Sequence, residues 1–244
     1  MKIVTYILTH NSPRRLDNCL SRLRTADPDF FDHPIIVVDQ STVDDLARDN
    51  AIVAEKFGVS IRRNENLGAS GGRWYCAQLF HESDADAMFY FEDDQVWNNG
   101  THPPRDGLRI PVQIEKPFSN IIACLEAEYL GYLKLNFQEV YDTHRLDCGA
   151  PCNKPLAKYN VTYVNGQMLF VGDAYYSNWP MLITKETSRL IFDGPPVTEG
   201  AVMVNTYRIR ASGKFRAGVL AASPILHCGI DDHRPDDIDL QRPH

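Results

Sequence analysis

Glu92, Asp93 and Asp94 are consecutive carboxylates at the end of an apolar run, Ala87-Met88-Phe89-Tyr90-Phe91. The run has the length and aromatic content of a buried strand. Carboxylates this close raise one another's pKa, so burying them together is costly. A divalent cation relieves that repulsion. Mg²⁺ or Mn²⁺ takes hard oxygen ligands, and one or two carboxylates with phosphate oxygens suffice. A solvated acidic turn after a strand accounts for the cluster equally well, so the surrounding chain has to decide.

The elements that must position the cluster alternate between strand and helix. Residues 2–9 form a β-rich run, after which Ser12 suits the cap of a helix whose first residue is Pro13. Leu16, Cys19, Leu20 and Leu23 then recur at helical spacing. Residues 34–38 read as a second strand. Leu46, Val53 and Phe57 line a second helix, ended by Gly58, and residues 59–62 give a third strand. Residues 64–72 read as a glycine-bearing loop and 73–80 as a helix. This alternation predicts an α/β fold of βαβ units with a mostly parallel sheet flanked by helices. Ligands of such sheets gather at the carboxyl ends of the strands, where Thr9, Asp39, Asn64 and Glu92 fall.

The second half changes character. Residues 98–116 are rich in Pro, Gly and charge and read as a long loop. A helix is expected over 117–129, with strand-like alternation over 131–141 and 161–171. A short strand at 180–184 leads into a small helix ending at Ile191. A helix over 199–211 stops before Gly213, and strands at 215–221 and 224–227 follow. Residues 231–244 read as an acidic surface tail. The chain shows no internal repeat.

Composition narrows the classes. The 244 residues carry 25 basic and 32 acidic side chains, a net charge of −7. That argues against a nucleic-acid binder gripping phosphates and leaves no polybasic membrane patch. No apolar stretch approaches the roughly 20 residues of a transmembrane helix. Residues 1–8 look like the start of a signal peptide, but Thr9-His10-Asn11 and Pro13 interrupt without a small-residue cleavage site, so the segment reads as a strand. The expected location is the cytoplasm, with a peripheral place at a membrane compatible. Cys19, Cys76 and Cys124 sit in apolar helical patterns and read as buried thiols. His144, Cys148 and Cys152 are spaced four apart, yet Gly149-Ala150-Pro151 breaks any helix that would align them, which argues against zinc. The sequons at Asn99 and Asn160 read as chance.

Four stretches, in order across residues 1–97, resemble the GT-A glycosyltransferases, specifically the family-2-like group that uses nucleotide-sugar donors. Residues 3–11 are similar to that family's opening strand with its polar end. Val37-Val38-Asp39-Gln40-Ser41-Thr42 is similar to the second strand, whose terminal aspartate reads the base. Asn64-Glu65-Asn66-Leu67-Gly68-Ala69-Ser70-Gly71-Gly72 resembles the asparagine–glycine loop before a helix. Glu92-Asp93-Asp94 stands where the family has its DxD motif, with glutamate replacing the first aspartate. Beyond residue 97 the likeness is thinner: Trp179-Pro180-Met181-Leu182-Ile183 looks like the acceptor-face strand. Thr198-Glu199-Gly200 stands where relatives place an acidic base, without the usual Glu-Asp pair, and His227 ends a late strand, as a metal-shell histidine does in some GT-A enzymes.

The resemblance implies one GT-A-like domain, with residues 1–97 as the nucleotide-sugar and metal half, 98–230 as the acceptor half and 231–244 as a tail. It implies transfer of a sugar from a UDP-sugar donor to a hydroxyl of a glycan or other acceptor, dependent on Mn²⁺ or Mg²⁺ and inverting. Donor-binding residues would be Thr9, Asn11, Asp39, Asn66, Gly71, Arg73 and Asp93; metal ligands would be Glu92, Asp94 and His227; the catalytic base would be Glu199. The chemistry agrees: the leaving diphosphate gains charge, a carboxylate such as Asp39 can accept a base N–H, and the acceptor hydroxyl must lose a proton. Blander roles stand beside these. Glu199 suits a first-turn glutamate favoured by the helix dipole, His227 a core histidine bonded to a carbonyl, and Arg73 an exposed helix face. Asp173 and Asp193 are the other acids of the second half that could take the base role.

Three other functions share features with this reading. A nucleotidyltransferase shares the sheet, metal and nucleotide, but favours a glycine-rich loop after the first strand, where this chain has Thr9-His10-Asn11-Ser12-Pro13-Arg14-Arg15. A non-catalytic sugar-binding domain could keep the fold. A glycosidase needs two acids flanking the scissile bond, and the nucleotide-type half argues against it.

Overall fold

Alternation along the first strand, β1 (Ile3–Thr9), sets the layers. Ile3 and Ile7 point into one core and Val4, Tyr6 and Leu8 into another on the opposite face. In β4 (Ala87–Glu92), Phe89 and Phe91 join the first core, and Met88 and Tyr90 the second. A strand buried on both faces has to read as a continuous apolar run.

The computed structural model describes residues 1–97, 114–135, 160–172, 180–194, 198–222 and 224–227. Between β1 and β4 come α1 (Pro13–Ala26), β2 (Ile35–Asp39), α2 (Asp44–Phe57), β3 (Ser60–Arg63) and α3 (Gly68–Glu82). After β4 follow β5 (Gln95–Trp97), α4 (Pro117–Ala127), β6 (Tyr132–Lys134), β7 (Asn160–Val164), β8 (Gln167–Val171) and β9 (Met181–Thr184). The described chain closes with α5 (Lys185–Ile191), α6 (Glu199–Ala211), β10 (Ala217–Leu220) and β11 (Ile225–His227).

The main sheet runs β3-β2-β1-β4-β9-β6-β10-β8-β7. β3, β2, β1 and β4 are parallel neighbours, and β6 and β10 run the same way. Only β9 and β8 run against them, as their antiparallel pairings require. This is the α/β, mostly parallel sheet that the alternation predicts. α1 and α4 cover one face, where Phe30 packs edge-on against Phe89 at 5.2 Å and Phe118 at 5.0 Å. α3, α5 and α6 cover the other. Among the described residues no helix is long and apolar enough to cross a membrane.

Several local expectations need correcting. Ser12 precedes Pro13 as expected, but its hydroxyl donates to the His10 carbonyl (2.8 Å) and caps no helix N–H. The buried stripe of α2 is Ala47, Asn50, Ala54 and Phe57, because Asn50 turns inward to bond Asp39, and Leu46 and Val53 lie at its margin. α3 begins at Gly68 and takes in residues read as loop; Asn66 Oδ1 accepts from Gly68 N (2.9 Å) and ties down its first turn. The segment 161–171 is a hairpin, not one strand: Asn165 (φ 48°) and Gly166 (φ 77°) make the left-handed pair that a two-residue turn requires. β5 was not legible at all; it pairs antiparallel with β11 in a separate two-stranded sheet. The expected loop at 98–113, the strand beyond 135, the His144/Cys148/Cys152 set, Asp173 and the 231–244 tail lie outside the described residues.

Candidate active site

The carboxyl ends of β1, β2 and β4 meet along one edge of the sheet. Thr9 is in register with Asp39 and Leu8 with Glu92. The chain leaving each strand stays hydrogen-bonded to β1: Asp93 N donates to Leu8 O and Gln40 N to Thr9 O, both at 3.0 Å. The acidic turn is therefore fixed by backbone pairing. Cys19 of α1 supports it from below, its thiol 3.4 Å from Gln95 O.

The three carboxylates have different surroundings. Asp93 is buried and accepts from the Thr9 hydroxyl at 2.6 Å. Burial, joined by the neighbouring charge of Asp94, pushes its carboxyl up to about 8; the Thr9 bond, Arg15 and the His10 backbone N–H act the other way. Glu92 turns into the second core. Its Oε1 accepts from Arg73 Nη2 (2.6 Å) and from the Tyr90 hydroxyl (2.9 Å). Arg73 is 2% exposed and its guanidinium lies 5.6 Å from the Tyr90 ring centroid, so it is not an exposed helix arginine. That oxygen of Glu92 is thus held by a guanidinium and a phenol, which gives the side chain a structural task.

Gly72 explains how an arginine on α3 becomes buried. A Cβ there would lie 2.7 Å from Leu8 Cδ1 and 2.8 Å from Gln40 Oε1, so only glycine lets α3 pack this tightly on the strand ends. Gly71 also lies inside α3, not in a loop.

On the other side of β1, Asp39 is 1% exposed. Its Oδ1 accepts from Ser41 N (2.9 Å), Ser41 Oγ (2.5 Å) and Asn50 Nδ2 (3.1 Å). Its Oδ2 accepts from none of the described residues. Asn11, at φ 51°, joins the loops after β1 and β2 by accepting from Thr42 N and Val43 N. Asn66 lies within reach of the same group, 3.3 Å from His10 Nε2.

From the second half, Glu199 is the first residue of α6, directly after Thr198, whose side chain accepts from Ala201 N at 3.4 Å. A cavity of about 200 Å³ opens between α3 and α6, lined by Ser70, Trp74, Phe192, Asp193, Val202 and Asn205. Trp74 spans its rim by donating to Gly194 O (2.6 Å). His227 pairs in β11 opposite Gln95, which puts its backbone beside the residue after Asp94. Among the described residues no three His, Cys, Asp or Glu side chains are grouped to hold a metal.

No family model and no curated protein sequence matches the chain. Solved structures do. A mannosyltransferase, PcManGT from Pyrobaculum calidifontis in complex with GDP-Man and Mn²⁺, superposes with a TM-score of 0.56 at 14% identity, over 88% of this chain and 53% of that one. S. aureus TarS 1-349 gives 0.51 at 11% identity, over 92% and 59%, and its complex with UDP gives 0.51 at 12%. The fold is GT-A-like. The chain spans a little over half the length of these neighbours.

Within the GT-A layout, the structure brings Thr9, Asn11, Asp39, Asn66, Asp93 and Asp94 to one edge, buries Arg73 with Glu92 just behind it, and sets the start of α6 across the cavity. Sequence reasoning missed Tyr90, Ser41 and Asn50, which fix the orientation of Glu92 and Asp39. Tyr90 carried a signal: its side chain falls on the same strand face as that of Glu92, two residues on. It also missed Lys134, wholly buried at the carboxyl end of β6 in the row of Met181 and Tyr90. Sequence reasoning assigned no role to His10, between Thr9 and Asn11.

Proposed function

We propose that the chain transfers a sugar from a nucleoside diphosphate donor, a UDP-sugar before others, to a hydroxyl of a glycan or similar acceptor, with Mn²⁺ or Mg²⁺ and with inversion. The observation that carries this reading is Asp93, a buried carboxylate held by Thr9 beside a second carboxylate at the ligand edge of a GT-A-like sheet. Two adjacent hard-oxygen donors whose charges oppose one another fit a small divalent cation that takes its remaining ligands from phosphate and water. Asp94 and Asp93 would hold it, with His227 as a further candidate ligand. When bound, the cation offsets the charge that the departing diphosphate gains. The neighbouring structures in complex with UDP and with GDP-Man and Mn²⁺ support the same donor class.

The remaining roles fall to the chain. Asp39, aimed by Ser41 and Asn50, offers Oδ2 to a base N–H. Thr9, Asn11, Asn66 and Gly71 shape the donor cleft, and the Arg73–Glu92 pair holds the acidic turn in place. The acceptor enters by the cavity between α3 and α6. Its oxygen bonds to the anomeric carbon as the bond from that carbon to the diphosphate breaks, and its proton passes to Glu199. Asp193, in the cavity wall, is the alternative base. Residues 1–97 thus form the donor half and 98–230 the acceptor half of one domain.

The test is turnover of a panel of UDP- and GDP-sugars, with Mn²⁺ and with chelator. Metal-dependent release of the nucleoside diphosphate from one donor is expected. Release of the monophosphate would make the chain a nucleotidyltransferase, and binding without turnover a sugar-binding domain.

A further inference from the structure

His10 is exposed at the ligand edge, between Thr9 and Asn11, and the scheme above gives its ring no task. Its surroundings select the tautomer of the neutral ring. Asn11 Oδ1 accepts from the backbone N–H groups of Thr42 (3.0 Å) and Val43 (3.2 Å). Its Nδ2 therefore faces Thr42 Oγ1 (3.0 Å) and His10 Nε2 (3.2 Å). Asn66 Oδ1 likewise accepts from Gly68 N (2.9 Å), which turns its Nδ2 to His10 Nε2 at 3.3 Å. A backbone N–H can only donate, so neither amide can be flipped without losing these bonds.

Two N–H donors thus converge on Nε2. A ring nitrogen that accepts carries no proton, so the neutral imidazole must hold its proton on Nδ1. Nδ1 pairs with none of the described residues. The ring is therefore a fixed donor, tied to the loops that follow β1 and precede α3. β1 lies between β2, which carries Asp39, and β4, which carries the acidic turn. A nucleotide with its base at Asp39 and its diphosphate at Asp93–Asp94 passes its middle over His10.

We propose that His10, locked as the Nδ1–H tautomer by Asn11 and Asn66, is a donor-binding residue that gives this N–H to an oxygen of the ribose–diphosphate stretch of the nucleotide. The inference rests on the glycosyltransferase reading above.

Two measurements on the full chain test it. The first is ¹⁵N–¹H correlation of labelled histidines at about pH 8, above the ordinary imidazole range. A proton on Nδ1 of His10 is expected; one on Nε2 overturns the proposal. The second is calorimetry with Mn²⁺ and UDP or GDP, whichever the wild type binds, and with its parent nucleoside. His10→Ala and His10→Gln should each weaken the diphosphate about tenfold, the usual loss for one hydrogen bond to a charged group. Gln keeps an acceptor near the place of Nε2 but has no donor at Nδ1, so full affinity in His10→Gln would reduce the ring to a loop latch and overturn the proposal. A loss on the diphosphate alone assigns a phosphate oxygen; an equal loss on the nucleoside assigns a ribose hydroxyl. Firm wild-type binding with unchanged affinity in His10→Ala overturns this inference alone, whereas a wild type that binds no nucleotide overturns the function and the inference together.

Discussion

Glu92→Gln separates the two roles open to the first acid of the cluster. As a metal ligand, Glu92 would matter for activity and little for stability. In the structure its side chain is 16% exposed and Arg73, 2% exposed, reaches it at 2.6 Å, with Tyr90 as second donor. Removing one partner of a buried ion pair costs about 3–5 kcal/mol, because the other charge is left uncompensated. Gln keeps an acceptor for both donors, so roughly half of that loss, about 2 kcal/mol, is expected. For a chain of this length each kcal/mol moves the melting temperature by about 2–4 °C, giving a fall of about 4–8 °C. The assay is thermal unfolding by circular dichroism, with Mn²⁺ affinity measured on the same samples. Replacing both partners, Arg73→Met with Glu92→Leu, should recover part of the stability, since no charge is then stranded. An unchanged melting temperature with lost Mn²⁺ affinity would refute this reasoning and return Glu92 to the metal.

Gly72→Ala should destabilise by about 1–3 kcal/mol, the range for overpacking, as its Cβ would press on Leu8 and Gln40; an unfolding midpoint equal to wild type would show that α3 can shift freely. Asp39→Ala should raise KM for the donor more than it lowers kcat, because base contacts are made equally in ground and transition states. A fall in kcat with donor affinity intact would move Asp39 into the chemistry. Glu199→Gln should keep donor and metal affinity and lower transfer by roughly 10²-fold or more, the usual range for losing a general base. Near-normal turnover would pass the role to Asp193 or Asp173, or indicate a retaining mechanism.

The first half of the chain was legible because its signals are local. β1 and β4 alternate into two cores, Gly58 takes the left-handed cap at φ 68°, and the polar residues after each strand fall where a parallel sheet must place them. What stayed hidden depends on contacts across the fold. Whether Glu92 faces a cation or Arg73 is decided by how closely α3 approaches, and that closeness rests on the missing side chain of Gly72. The three-residue β5 has too few residues to show a period, and only its pairing with β11, far along the chain, makes it a strand. The hairpin of β7 and β8 did carry a readable sign, Asn165-Gly166, which the surrounding strand-like alternation obscured.

The central claim is that Asp94, with Asp93, holds the cation through which the nucleotide donor is bound. Calorimetric titration of UDP and GDP into wild type and Asp94→Asn, each with Mn²⁺ and with chelator, tests it most directly. Wild type should bind one nucleotide firmly with Mn²⁺ and weakly with chelator, while Asp94→Asn should bind weakly in both and unfold at the wild-type temperature. Equal Mn²⁺-dependent affinity in wild type and variant would contradict the account.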